Sequence, residues 1–583
     1  MPDTTPPVRS LTAKSNLDAL RGEARRWRKA ITTGDARASE RFRRAMPGHA
    51  GAPKLREVQQ ALAREHGFAS WAALRQELED RARTAAERVR LFLEKAANRY
   101  GTSPATRKWG DYEADGPARG ALAARLLARH PELARRDIHT AVAAHDLAAV
   151  RGFLQRDPDL VRDRSDFDGW TPLLRLAYAR LPAEGMSDAL SIATLLLDAG
   201  ADPDAGWSDE TPEFTPLVGV IGGGEAGQSE HPQAQAFADL LLARGADPMA
   251  AQALYNTSLG PDSTEWLQRL WSASAARGET GRWTGPAPEA LGGARAASAL
   301  AYLLGNAVPD HIEQARWLLA HGADANGVNF YSREPVIKHA LLTGRLDVVA
   351  LLEAHGAVRP ALSDQERFLA AAATGDLAAL RHLAQAHPAF LGAPEAMFVA
   401  IRRQRAEVAL ALLDLGMSPD VADDKGLTAL HVTTHVGAAD IARLLIDRGA
   451  AIDPFEQRYG GAPLTHAIFN GQPQMAALIA PFSHNFRGLC FAGATDRLRA
   501  LLAEAPDRAN RQDRPGEPAL FCLPDDEDRA VEVAELLLAH GADPAFRNPL
   551  GLTPAQAARR RGLDEAAAVI EDAADEPAAR PPG

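Results

Sequence analysis

From Asp424 to Asp453 the chain reads DKGLTALHVTTHVGAADIARLLIDRGAAID, with apolar positions at helical rather than strand spacing. A first short run closes at Gly437. A second, Asp440 to Asp447, is apolar at Ile441, Leu444 and Leu445 and closes at Gly449-Ala450. Two helices this short cannot bury their apolar faces alone, so the pattern predicts copies of the unit on either side.

Copies of the closing signature follow along the chain. Leucines followed by Gly-Ala or a close variant recur at Gly200, Gly245, Gly322, Gly356, Gly416, Gly449 and Gly541. Gly322 to Gly356 spans 34 residues and Gly416 to Gly449 spans 33. The opening signature also recurs, as Thr171-Pro172-Leu173, Thr215-Pro216-Leu217 and Thr553-Pro554-Ala555. In it the threonine caps a helix, the proline sits in the first turn, where its missing N–H costs nothing, and the leucine enters the core. A period near 33 built from a turn and two helices resembles the ankyrin-repeat family over roughly residues 137–570. The resemblance implies an all-α ankyrin-repeat solenoid of about a dozen stacked helix-turn-helix units. It also implies that the array works by binding a protein.

Outside the array, residues 1–10 read as a disordered tail and 11–99 as a basic helical N-terminal domain. Leu17, Leu20, Ala24, Trp27 and Ile31 recur at helical intervals, and Ser70 is placed to cap a helix beginning at Trp71. The stretch Gly67-Phe68-Ala69-Ser70-Trp71 with Leu74 resembles a helical segment that precedes ankyrin arrays in some bacterial proteins. Residues 100–136 read as linker and helix, 137–573 as the solenoid and 574–583 as a second disordered tail. A divergent or inserted segment falls at about 249–293, where Trp266, Leu267, Leu270 and Trp271 predict one amphipathic helix.

Composition narrows the class. The chain has 583 residues and 46% hydrophobic content, yet no apolar run of membrane-spanning length. MPDTTPPVRS lacks the apolar core of a signal peptide, and two cysteines do not make a disulfide framework. These features set the expectation of a cytoplasmic chain, and nothing in them calls for more than a monomer. Formal net charge is −11, while the first hundred residues are net basic, so a basic head precedes an acidic array.

Four features imitate chemistry. Gly222-Gly223-Gly224-Glu225-Ala226-Gly227 satisfies G-x-G-x-x-G, with Asp247 about where a ribose ligand would fall. A dinucleotide site needs a strand before the glycines, however, and VGVI is placed as a repeat helix instead. The glycines then form a lengthened turn. His431 and His435 lie four apart on one helix but lack a third zinc ligand, and His431 stands at the motif's structural position. Cys490 and Cys522 fit as small buried hydrophobes without an activating base. Arg25, Arg26, Arg28, Lys29, Arg41, Arg43 and Arg44 lend the head the charge of a nucleic-acid surface, but no recognition motif accompanies them. The sequence thus provides no catalytic residue, cofactor site or metal site, and argues against nucleic acid or membrane as the partner.

What remains is surface. Turn tips held by rigid helices carry the residues that the repeat consensus leaves free. Trp207, Asp209, Phe330, Tyr331, Asp423, Asp424, Lys425, Phe455, Arg458 and Tyr459 are the candidate partner-binding residues. The acidic array favours a protein partner with a basic patch. Two alternatives stand beside this reading: nucleic-acid or acidic-surface binding by the head, and a small-molecule or enzymatic site in the irregular 249–310 region.

Overall fold

A computed structural model describes residues 9–575 except 13–14, 50, 52, 54, 99–116, 183–186, 208–213, 225–227, 260–261, 289–290, 292–295, 459 and 513–516. The side chains of residues 18, 72, 117, 118 and 575 also lie outside the description. The chain is an all-α repeat solenoid. Among the described residues, β pairing is limited to isolated bridges, several of which close the turn tips, such as Ala422–Thr428 and Glu456–Gly461. Two compact units divide the chain. One joins the residues up to Thr84 with those from Ser418 onward; the other runs from Ala85 to Met417.

Both units are built from the same local code. Where an outer helix ends in the Gly-Ala closure or its variants, the chain turns through a glycine at positive φ, +102° at Gly416 and +83° at Gly449, a conformation that a Cβ disfavours. The next amide then reaches back five residues. Ala450 N donates to Leu445 O at 3.0 Å, and Ala201, Ala246, Ala323, Ala357, Met417 and Ala542 make the same bond to Leu196, Leu241, Leu318, Leu352, Leu412 and Leu537. This satisfies a carbonyl that the helix end would orphan, and it explains why leucine and Gly-Ala travel together. The following aspartate fastens the loop. Asp202, Asp247, Asp324 and Asp543 each accept a hydrogen bond from the amide two residues on. Loop side chains also join neighbouring repeats: Asn326 Nδ2 donates to Gly356 O, Asn510 Nδ2 to Gly541 O, and Ala451 N donates to Asp420.

The Ala85–Met417 unit starts with helices Ala85–Lys95 and Pro117–Arg129. Phe92, Leu93, Ala123 and Leu126 share a core with Leu133, Ala143 and Ala179 of the array. Residues 96–98 pair with 178–180, through Asn98 N to Tyr178 O and Arg180 N to Ala96 O. Among its described residues the divergent segment has a buried core. Helix Thr264–Ala276 buries Trp266, Leu267 and Leu270, and Trp283 is wholly buried against Trp271 and Trp317, its indole N–H bonded to Ser274 Oγ at 2.9 Å.

In the other unit, the head folds around Leu20, Trp27, Phe42, Leu62, Trp71 and Leu74. Its helices are capped as their sequence demands: Asn16 accepts from Ala19 N, Asp35 from Ala38 N and Ser70 from Ala73 N. The C-terminal repeats build a separate core from Leu430 to Ile570. The last helix, Asp564–Asp575, reads in sequence as a cap with a charged outer face. In the structure the head covers that face, and Ala568 joins the head's core.

Candidate functional site

The tips at Asp423–Lys425 and Phe455–Arg458 form one braced pair. Asp423 Oδ1 accepts from Lys425 N at 2.9 Å and Leu427 N at 2.8 Å, so this half-buried carboxylate shapes its own turn. Its second oxygen lies 3.7 Å from Arg458 Nη2, and Gln457 N donates to Lys425 O at 2.9 Å. On this frame Asp424, Lys425 and Arg458 are exposed, and the Phe455 ring is 58% exposed. Tyr459 lies outside the described residues.

The remaining predicted residues are in the other unit. Trp207 stacks on Phe214 with ring centroids 4.8 Å apart, beside the isolated backbone bridge that joins the two residues, and is half-buried. Asp209 lies outside the described residues. Phe330 is half-buried between Tyr302 and Tyr331. Tyr331 is 62% exposed, with its hydroxyl 3.0 Å from that of buried Tyr302. The structure thus brings together Asp423, Asp424, Lys425, Phe455 and Arg458 in one unit, and Phe330 and Tyr331 in the other.

Behind the first pair of tips runs a chain of polar side chains that sequence reading misses. Glu456, wholly buried, accepts from Arg458 N at 2.7 Å and from His466 Nε2 at 3.1 Å. His466 Nδ1 then accepts from His435 Nε2 at 3.0 Å, and the two rings are stacked. A spacing of 31 residues between His435 and His466, about one repeat, was the available signal. His431 belongs to the frame: its Nδ1 meets Thr428 Oγ1 at 2.8 Å and its Nε2 donates to Gly461 O at 3.2 Å. Burial drives its pKa down to about 4, and burial also lowers that of His466 against the opposing pull of Glu456. Among the described residues, no group of three or more His, Cys, Asp or Glu could hold a metal ion.

The remaining look-alikes have structural explanations. VGVI forms helix Pro216–Ile221, and Gly222, Gly223 and Gly224 follow at φ +67°, +72° and +77°. A Cβ on Gly222 would meet Ser229 O at 2.6 Å, and Gly222 O is held by buried Asn256 Nδ2 at 2.6 Å. The apolar stretch before the glycines is thus a helix and not a strand, while Glu225, Ala226 and Gly227 lie outside the described residues. Asp247, the apparent ribose ligand, takes both nitrogens of Arg282 at 2.8 Å. Cys490 and Cys522 are both buried. In the irregular region, an open groove of about 730 Å³ runs along the outer helices, and its Arg269 is paired with Asp239. Several head arginines also have acidic partners, Arg41 with Glu23 and Glu65, and Arg43 with Glu40.

Known proteins resemble this chain in its repeats. The family model of ankyrin repeats (3 copies) matches residues 396–487. The mouse B-cell lymphoma 3 protein homolog is 30% identical over 145 residues, covering 24% of this chain and 30% of that protein. The human B-cell lymphoma 3 protein is 33% identical over 12% of this chain and 15% of its own length, so the chain spans less than a third of either. The putative ankyrin repeat protein YahD of Escherichia coli is 26% identical over 172 residues, 27% of this chain and 85% of that protein. Among solved structures, an Acinetobacter baumannii ankyrin repeat domain is 22% identical, covering 30% of this chain and 96% of its own, with a TM-score of 0.25. No helix among the described residues is long and apolar enough to cross a membrane. With the family match, the recurring helix closure and the capped Thr-x-Leu-His opening in place, residues 396–487 are similar to the ankyrin-repeat family, and the same closure recurs outside them.

Proposed function

We propose that this chain is a non-catalytic scaffold that recognises a protein partner through the turn tips and concave face of its array. Ankyrin repeats are protein-protein interaction modules. The observation that carries the reading is exposure on a rigid support. Phe455 stands out from two tips locked together by Asp423, Arg458 and a backbone bond, and exposed aromatic and arginine side chains are the usual anchors of interfaces. Bracing the turns in advance removes ordering entropy that binding would otherwise cost. The partner carries a basic patch that meets Asp424 and the wider acidic array.

The test is affinity capture and titration with the intact chain. Phe455→Ala with Arg458→Ala, and separately Tyr331→Ala, are each expected to weaken binding at least tenfold without changing helicity. Affinity should also fall as salt rises. A partner that binds both variants as tightly as the parent, independently of salt, would overturn the assignment.

A further inference from the structure

We infer that the acidic flank of the terminal helix Asp564–Asp575 is a docking site for an arginine-bearing helical domain. In the resting chain that domain is the chain's own head, and the head of a second copy fits the same site. The contact is carried by charge. Arg75, only 1% exposed, pairs with the Asp564 carboxylate and donates to Asp564 O at 3.0 Å. Arg21 pairs with Glu571, Arg25 lies 3.6 Å from Asp572, and Gln59 donates to Asp572 at 2.9 Å. Arg56 adds a longer pairing, 3.9 Å from Glu535. The apolar share is small: from the terminal helix only Ala568 enters the head's core, among the described residues. The more exposed outer pairs, Arg25–Asp572 and Arg56–Glu535, weaken with ionic strength, and the head has a tryptophan-centred core of its own.

The chain's connectivity points to a second copy as the alternative occupant. Arg75 and Asp564 are 489 residues apart, so the fold and not the local chain brings them together. Helix Trp71–Ala82 is followed by helix Ala85–Lys95 with only Arg83 and Thr84 between them, and the boundary between the two compact units falls at Thr84. Short links of this kind are the usual hinges of exchanged dimers, in which each copy supplies the element the other accepts. Reciprocal exchange leaves no site unfilled, so the assembly stops at two.

Two full-length variants test this. Arg25→Glu/Arg75→Glu reverses the head, and Asp564→Lys/Asp572→Lys reverses the site. Each alone opposes like charges within one chain and is expected to stay monomeric, with faster proteolysis at the Arg83–Thr84 link. Mixed one to one, head and site are complementary only between chains, and light scattering should show the mass double. A mixture that remains monomeric overturns the inference. Should either variant lose its helical circular dichroism, wild-type chains carrying donor and acceptor dyes replace them. These are mixed in about 1 M salt, where screening is near 3 Å, and returned to low salt. Energy transfer between chains supports exchange, and its absence overturns it.

Discussion

Acidification is expected to loosen the repeats around His431 before the rest of its unit. The imidazole is wholly buried, with its Nε2 proton spent on Gly461 O and its Nδ1 lone pair facing Thr428. Burial withholds the solvation that a second proton's charge would need, and His466 and His435 oppose that charge while buried Glu456 favours it. Its pKa therefore falls from 6.5 to about 4. Above pH 6.5 the ring is neutral whether folded or unfolded, and its contribution is fully present. Between 6.5 and 4 the unfolded chain takes up a proton that the folded site refuses, so stability falls with pH. At up to ~1.4 kcal/mol per pH unit, the loss is about 2 kcal/mol by pH 5 and about 3 kcal/mol by pH 4. The assay is amide exchange in helices Ala429–Val436 and Pro463–Phe469, corrected for intrinsic rates, at pH 7 and pH 5. His431→Gln removes the titrating group, so its protection should drop by about 2 kcal/mol less than the parent's over that interval. Equal pH dependence in the two chains, or a His431 resonance titrating near 6.5, would refute the reasoning.

Three further outcomes follow from packing. Trp283→Ala empties a wholly buried site against Trp271 and Trp317, and should cost roughly 3–5 kcal/mol in urea unfolding, with the loss of protection centred on Thr264–Ala276. Asn256→Ala leaves Gly222 O without its buried donor, and should cost about 1–3 kcal/mol and speed exchange at the Gly223 and Gln228 amides. Arg282→Ala, by contrast, removes a partly exposed bidentate pair with Asp247 and should change stability by less than about 1 kcal/mol; a larger loss would mean that the loop depends on it.

The repeats were legible in the sequence because their code is local. The Gly-Ala closure, its five-residue backbone bond, the aspartate after it and the threonine cap each act within a few residues of themselves. Single-sequence reading recovers such signals even where a repeat departs from the pattern. Ala429 replaces the usual proline, yet Thr428 and His431 still close the capping box. The same locality limits what the tips reveal. Asp423 stands out in sequence as a charged residue outside the consensus, but most of its hydrogen-bonding capacity is turned inward on its own turn. Trp207 is likewise half committed, to Phe214. Exposure, which decides whether a tip residue is available to a partner, depends on the neighbouring repeat and leaves no mark on spacing.

Charge is where composition and structure diverge most. Arginines counted along residues 1–84 describe a basic surface, as though each faced water. Arg75 instead meets Asp564, and Arg21 meets Glu571, across most of the chain's length. No periodicity links such residues; what was visible was the asymmetry itself, a net-basic head and an acidic remainder in one chain. Opposite charges separated in sequence are free to meet in space, and burying Arg75 without Asp564 would leave a costly unpaired cation. Charge complementarity within a chain therefore has to be discounted before an uneven charge distribution is assigned to an outside partner. In this protein that discount falls chiefly on the head, and leaves Asp424, Lys425, Phe455 and Arg458 exposed on the array.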